Sequence, residues 1–236
     1  MSACVCKHCV DPRETGILAQ HGITGHVYQE RDPGCLSDIV APVMLAELGK
    51  HPVSFIQGHD DCAAMKVLKG AYGKKSPNIT EKKFLKSHGD VLTLVMKQAV
   101  NLPEEEQLYI LAQACTLKDT NDLLAVQSVL PDDQKFGAIY AYNSLTPKER
   151  FAKGEVFDPA EIELEIYNEK TGAFERSLNN VGIRISDLVD LGTGKPKEDR
   201  YMITKQIDLE TFVKGAVLSS PKHPKPGCYK GRALGV

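Results

Sequence analysis

Over residues 3–68 the chain alternates short extended runs with helical stretches, and no other feature narrows its fold as much. "SACVCKHC" reads as a strand ending at Cys9. "PRETGILAQHG" has helical spacing through Ile17 and Leu18, with Gly22 as a stop. "GHVYQER" reads as a second strand, closed by the turn signal "DPG". "LSDIVAPVMLAELGK" carries an apolar helical stripe that Ser37 or Asp38 can cap and Gly49 can end. "PVSFIQG" is a third strand, and a third helix is expected from Asp60 to Leu68. Strands alternating with helices build parallel sheets with helical crossovers. The expected class is α/β, a mostly parallel central sheet flanked by helices.

Residues 70–88 are polar and read as a loop with a helical start, followed by long helices over 89–101 and 103–129. Asp132 and Asp133 mark a break, and "KFGAIYAYN" reads as a strand. After about residue 150 the character changes. "EIELEIYNEKTGAFERSL" reads as a hairpin with "EKTG" at its tip, a turn that lacks the glycine spacing of a phosphate loop. "VGIRISDLVDL" and "RYMITKQIDLETFVKG" read as strand and helix pieces, and the Pro-, Gly- and Lys-rich tail from Ser219 as an irregular arm. The division expected is a core domain over 1–150 and a C-terminal extension over 151–236, packed on the core or on a partner subunit.

A net charge of −2 gives no electrostatic case for nucleic acid or a membrane surface as partner. Basic stretches such as "KKSP" and "PKHPKPGCYKGR" read as solvated surface. No run approaches the roughly 18 apolar residues that a bilayer span needs, and "MSACVCKHCVDPRE" lacks the charge and apolar pattern of a secretory signal. Seven cysteines, an odd number, argue against a disulfide framework and for a reducing, cytoplasmic setting with reduced or metal-bound thiols.

Sites in α/β sheets lie at the carboxyl ends of the strands. "HCVDPR" closes the first strand and "GHDDC" follows the third, which brings Cys9, His59 and Cys62 to that edge. Two thiolates and one imidazole are the ligand set of a catalytic zinc with an open fourth position. His59 and Cys62, at i and i+3, are expected to share one face of a helix start, whose positive end favours a thiolate. Asp11 and Arg13 alternate with Cys9 on an extended chain and can face the same way. A carboxylate beside a guanidinium stays ionised, ready to accept a hydrogen bond from metal-bound water or to bind the metal. Taken singly, each half is more often structural; the weight lies in their combination.

At these residues the chain resembles the β-class carbonic anhydrases. "CVDPR" is similar to their Cys-x-Asp-x-Arg motif and "GHDDCAAM" to their Gly-His-x-x-Cys-Gly segment. Between them, "HVYQERDPG" stands where that family has a strand ending in Arg-Asn-Ala-Gly, and "LSDIVAPVMLAELG" follows as its helix. The resemblance runs over residues 3–68 and continues loosely to a strand that is either "FGAIYAYN" or "ELEIYNEKTG". Beyond about 175 nothing of the family is seen. It implies zinc on Cys9, His59 and Cys62, with Asp11 and Arg13 as catalytic dyad. The activity implied is that of a zinc lyase: reversible hydration of carbon dioxide to bicarbonate by attack of zinc-bound hydroxide. Asp11 would orient the hydroxide, or be the fourth ligand at rest, and Arg13 would hold Asp11. It also implies a homodimer or higher homo-oligomer, with an interface around residues 37–49 and part of the extension.

Pro12, Asp32, Pro33 and Ala63 depart from the family pattern without removing a ligand or the dyad. Two alternatives stay open. One is hydrolysis of carbonyl sulfide or carbon disulfide on the same site, and the other is a non-catalytic, zinc-stabilised oligomeric scaffold. Cys4 and Cys6 read as buried small residues on the face of the first strand opposite Cys9, and Cys35, Cys115 and Cys228 as core or surface thiols. His8, His21, His26, His51, His88 and His223 are scattered, and none is singled out as a proton shuttle. Asp60 and Asp61 are expected to serve the helix N-terminus.

Overall fold

The computed structural model describes residues 2–9, 26–32, 53–132, 137–145, 163–175, 190, 197 and 199–220. Among them, strands β1 (Ser2–Cys9), β2 (His26–Asp32), β3 (Val53–His59), β4 (Ala138–Leu145), β5 (Glu163–Asn168) and β6 (Ala173–Glu175) form one sheet. Its order is β2-β1-β3-β4-β5-β6. The first four strands run parallel, and β5 and β6 are added antiparallel at one edge. The described helices are α1 (Ala63–Gly70), α2 (Ile79–Gln98), α3 (Glu104–Val129) and α4 (Leu209–Ser219), with a 3-10 turn at Asp199–Tyr201. This is the expected α/β class. The helices expected over 12–22 and 36–50, most of "VGIRISDLVDL" and the tail beyond 220 lie outside the described residues.

β4 is buried along its whole length, as an interior parallel strand must be. The two faces of the sheet differ in chemistry. On one, Phe55 stacks on its register partner Tyr140, ring centroids 5.5 Å apart, and meets Tyr142 edge-on. On the other, Ile56, Ile139, Ala141 and Tyr167 join the helices in one apolar core with Leu68, Leu92, Leu111 and Leu117.

α2 starts at Ile79, well before the expected residue 89. Asn78 explains it: its Oδ1 accepts from the Glu81 backbone N–H at 2.9 Å, and Glu81 Oε2 accepts from the Asn78 N–H at 2.8 Å. This reciprocal cap satisfies two otherwise orphaned donors. The polar run beyond it is a solvated face, while Phe84, Val91, Leu92 and Val95 point inward. The backbone departs from helical values at His88 (φ −133°, ψ 15°), where a periodic pattern read from sequence loses its phase.

α3 spans 26 residues. Glu104, Glu105 and Glu106 fill its first turn, where the helix dipole favours negative charge. The β5–β6 hairpin turns at residues 169–172, with Gly172 at φ +67°, where a side chain would be strained. α4 is capped by Asp208, whose Oδ1 accepts from the N–H groups of Glu210 and Thr211. It packs on α2 and α3. Phe212 meets Tyr167 and Phe174 of the hairpin edge-on. The segment before α4 adds backbone bonds: Ile203 N–H donates to Ile139 O of β4 at 2.9 Å.

Candidate metal centre

β1 lies between β2 and β3, so the strand order reverses there, and it is at the carboxyl ends of the strands beside such a reversal that α/β sheets place their sites. Cys9 ends β1 and His59 ends β3. The helix after β3 begins at Ala63, three positions later than expected from Asp60, with Cys62 as its N-cap in extended conformation. His59 and Cys62 therefore do not share a helix face. The chain between them reverses through Asp61, the one non-glycine residue at positive φ (49°) among those described. Asp60 extends the β3–β4 ladder by donating its N–H to Ser144 O at 3.1 Å, and Asp61 pairs with Lys66 at 2.6 Å. The first turn of α1 holds no acidic residue; Asp60 and Asp61 stand just before its N-cap Cys62.

The turn brings Cys9, His59 and Cys62 together, their ligand atoms all within 4.8 Å of one another. All three are buried. His59 Nδ1 lies 2.7 Å from the Asp60 carbonyl oxygen. A carbonyl only accepts, so Nδ1 carries the proton and Nε2 the lone pair that binds a metal. The Cys9 and Cys62 sulfurs are 3.9 Å apart. Two zinc–sulfur bonds of about 2.3 Å at a tetrahedral angle would put their sulfurs about 3.8 Å apart. The donor set and its spacing fit a metal ion. The Cys62 thiol is pushed up by its hydrogen bond to Cys9, by burial and by the charge of Cys9, against a smaller pull from the Met65 and Ala64 N–H groups. Two thiolates this close and this dry need a cation between them to coexist.

Asp11 and Arg13 lie outside the described residues. Asp32 pairs in register with Cys9, so the strand end carrying Arg31 and Asp32 adjoins the ligand strand. Cys6 is buried beside Gln57 and Tyr142, and Cys115 is buried in the core, as expected for structural thiols. One group escaped the sequence reading. Lys7 of β1 is fully buried and donates from Nζ to Asp119 Oδ2 at 2.9 Å, while Asp119 Oδ1 meets His88 Nε2 at 3.0 Å. The available signal was a lysine inside an otherwise small, apolar strand.

No family model and no curated protein matches the chain. Solved structures do. The β-carbonic anhydrase CcaA superposes with a TM-score of 0.56 at 15% identity, over 79% of this chain and 82% of its own. This chain has a β-carbonic anhydrase-like fold. Weaker superpositions include the β-carbonic anhydrase CafA of Aspergillus fumigatus, with a TM-score of 0.43 at 16% identity over 66% of this chain and 84% of that one. Another is from the two tetrameric β-carbonic anhydrases of Sordaria macrospora, with a TM-score of 0.46 at 15% identity over 61% and 75%. At such identities the likeness is one of fold. Within the β-carbonic anhydrase-like fold described here, the buried thiol–imidazole cluster sits where the strand order reverses. Among the described residues, no helix is long and apolar enough to cross a membrane.

Proposed function

We propose that this chain is a zinc-dependent carbonic anhydrase, which hydrates carbon dioxide reversibly to bicarbonate at a metal held by Cys9, His59 and Cys62. The observation that carries the reading is the convergence of two thiols and one imidazole, sulfurs 3.9 Å apart, at the switch point of the sheet. The fold shared with a β-carbonic anhydrase supports it. Zinc held there supplies the Lewis acidity that makes a water-derived nucleophile available near neutral pH. The chain's own part is to hold and to orient. Cys9 and Cys62, as thiolates, offset the two positive charges of the ion. His59 contributes a neutral Nε2 because its Nδ1 proton is committed to Asp60. Three protein ligands leave a fourth position. Asp11 is assigned the orienting carboxylate of that position, or its occupant at rest, and Arg13 the guanidinium that keeps Asp11 ionised. We further propose that residues 1–150 form the zinc domain, that 151–236 extend it, and that the protein is a homodimer or a higher homo-oligomer.

The test is stopped-flow carbon dioxide hydration across pH, on zinc-loaded protein and on Asp11→Asn. Wild type should be active, and Asp11→Asn should keep its zinc and lose roughly 100-fold or more in turnover. Equal rates in the two would remove the dyad from the mechanism. Failure of zinc-loaded wild type to hydrate carbon dioxide at any pH would sink the reading. Turnover of carbonyl sulfide or carbon disulfide would then put a hydrolase in its place, and no turnover of either a zinc-stabilised scaffold.

A further inference from the structure

α3 reaches β5, β4 and β1 through a polar stripe, the half-buried Tyr109 and the buried Gln113, Thr116 and Asp119, on the face turned to the sheet. On β5, Glu165 accepts from Tyr109 OH at 2.5 Å and from Gln113 Nε2 at 2.7 Å. On β4, Asn143 Oδ1 accepts from Thr116 Oγ1 at 3.2 Å, the longer branch of a hydroxyl proton shared with Ala112 O at 2.9 Å, and Asn143 Nδ2 donates to Glu165 at 3.2 Å. On β3, Gly58 leaves room for the same hydroxyl: a Cβ there would come within 2.1 Å of Thr116 Oγ1. One turn further on, Asp119 takes Lys7 of β1. Gly58, Asn143 and Glu165 stand in one register row, and Lys7 is level with Ile56 just below it. From Tyr109 to Asp119 the helix rises about 15 Å. Three strand spacings, β5 to β1, come to about 14 Å. The stripe thus matches the width of the sheet it crosses.

These attachments lie immediately below the metal ligands. Gly58 precedes His59, and Lys7 stands two residues before Cys9 on the same side of β1. A buried ion pair adds little net stability over a well-packed apolar pair, so a lysine and an aspartate at this place are better explained by what they align. We infer that α3 is a spacer that sets the separation of the β1 and β3 ends, and that Thr116 and Asp119 are positioning residues for Cys9 and His59. The inference rests on the metal-site reading above. Groups outside the ligand shell that orient it are typically worth 10–100-fold in metal affinity.

The experiment measures zinc affinity by chelator competition and the visible absorption of the cobalt-substituted protein. It uses wild type, Thr116→Val, Thr116→Ser and the double variant Lys7→Met/Asp119→Leu, with thermal melting of each metal-free chain. Thr116→Val keeps the shape and removes the hydroxyl. It should weaken zinc binding by about 10-fold or more and shift or broaden the cobalt bands, and Thr116→Ser should restore both. The double variant also takes Asp119 from the buried His88 Nε2 and should melt lower than wild type for that reason, and it should bind zinc more weakly, with altered cobalt bands. Unchanged affinity and cobalt spectra in both Thr116→Val and the double variant would overturn the inference, whatever the melting temperatures, and leave the metal site standing. Wild type that takes up neither zinc nor cobalt would overturn both.

Discussion

Replacing Gly58 with alanine tests the close approach of α3 to β3. The added methyl would meet Thr116 Oγ1 at 2.1 Å and Asn143 Oδ1 at 2.3 Å, both far inside van der Waals contact. Neither atom belongs to a mobile chain end. Thr116 is β-branched and stiff at χ1, and its hydroxyl also bonds Ala112 O at 2.9 Å. Asn143 is held through Nδ2 to Glu165. Relief requires moving α3 away from the sheet or turning one side chain off its partner. Overpacking of this kind costs about 1–3 kcal/mol; the one hydroxyl proton of Thr116 is shared between Ala112 O at 2.9 Å and Asn143 Oδ1 at 3.2 Å, so losing the longer branch adds little. A total of about 1–3 kcal/mol corresponds to roughly 2–12 °C in Tm for a chain of this size. Differential scanning calorimetry of the two proteins, each with and without zinc, gives the answer. Because the displaced residue adjoins His59, the zinc-induced rise in Tm should also shrink. A Gly58→Ala protein melting within 1 °C of wild type would show that Thr116 and Asn143 do not sit against β3 as described.

Three further outcomes are expected. Asn78→Ala removes the half of the α2 cap accepted by the Asn78 side chain and leaves the backbone N–H of residue 78 to Glu81; it should cost about 1 kcal/mol, read from the midpoint of urea unfolding, and no change would place the start of α2 elsewhere. Removing zinc with a chelator should lower Tm, since a ligand at 100 times its Kd contributes about 2.7 kcal/mol to the folded state, and Cys62→Ser should abolish most of that difference. Burial pushes the Asp119 carboxyl up, but the charges and hydrogen bonds of Lys7 and His88 outweigh it and hold it below its ordinary 3.8. With the folded value depressed, its contribution is complete above that pH and is lost as pH falls through 3.8 towards the folded value. Wild type should therefore lose more Tm between pH 6 and pH 3 than Lys7→Met/His88→Phe/Asp119→Leu, which removes every titratable member of the cluster, and parallel pH profiles would count against a buried ionised pair.

The ligand cluster was legible because each of its parts coincides with an element end. β1 stops at Cys9, β3 stops at His59, and in parallel sheets those ends are where polar residues interrupt apolar runs. What joins His59 to Cys62 was not legible: helical spacing and a tight turn through Asp61 can both bring i and i+3 together, and only the positive φ of an aspartate separates them. The start of α2 was legible in principle, since "NITE" is a capping-box sequence, but its following run of lysines looks like loop until the inward row of Phe84, Val91 and Val95 is traced. The polar stripe of α3 was hidden for a different reason. Amphipathicity assigns Gln113, Thr116 and Asp119 to solvent, whereas they are buried against Glu165, Asn143 and Lys7, which lie 52, 27 and 112 positions away in the chain. A polar residue inside a core is permitted by its partner, and the partner's identity is a property of the strand order β1-β3-β4-β5. The same long-range pairing ties the far edge of the sheet to the strands that present Cys9 and His59, so the helix that looks least amphipathic is the one best placed to hold the metal ligands in register.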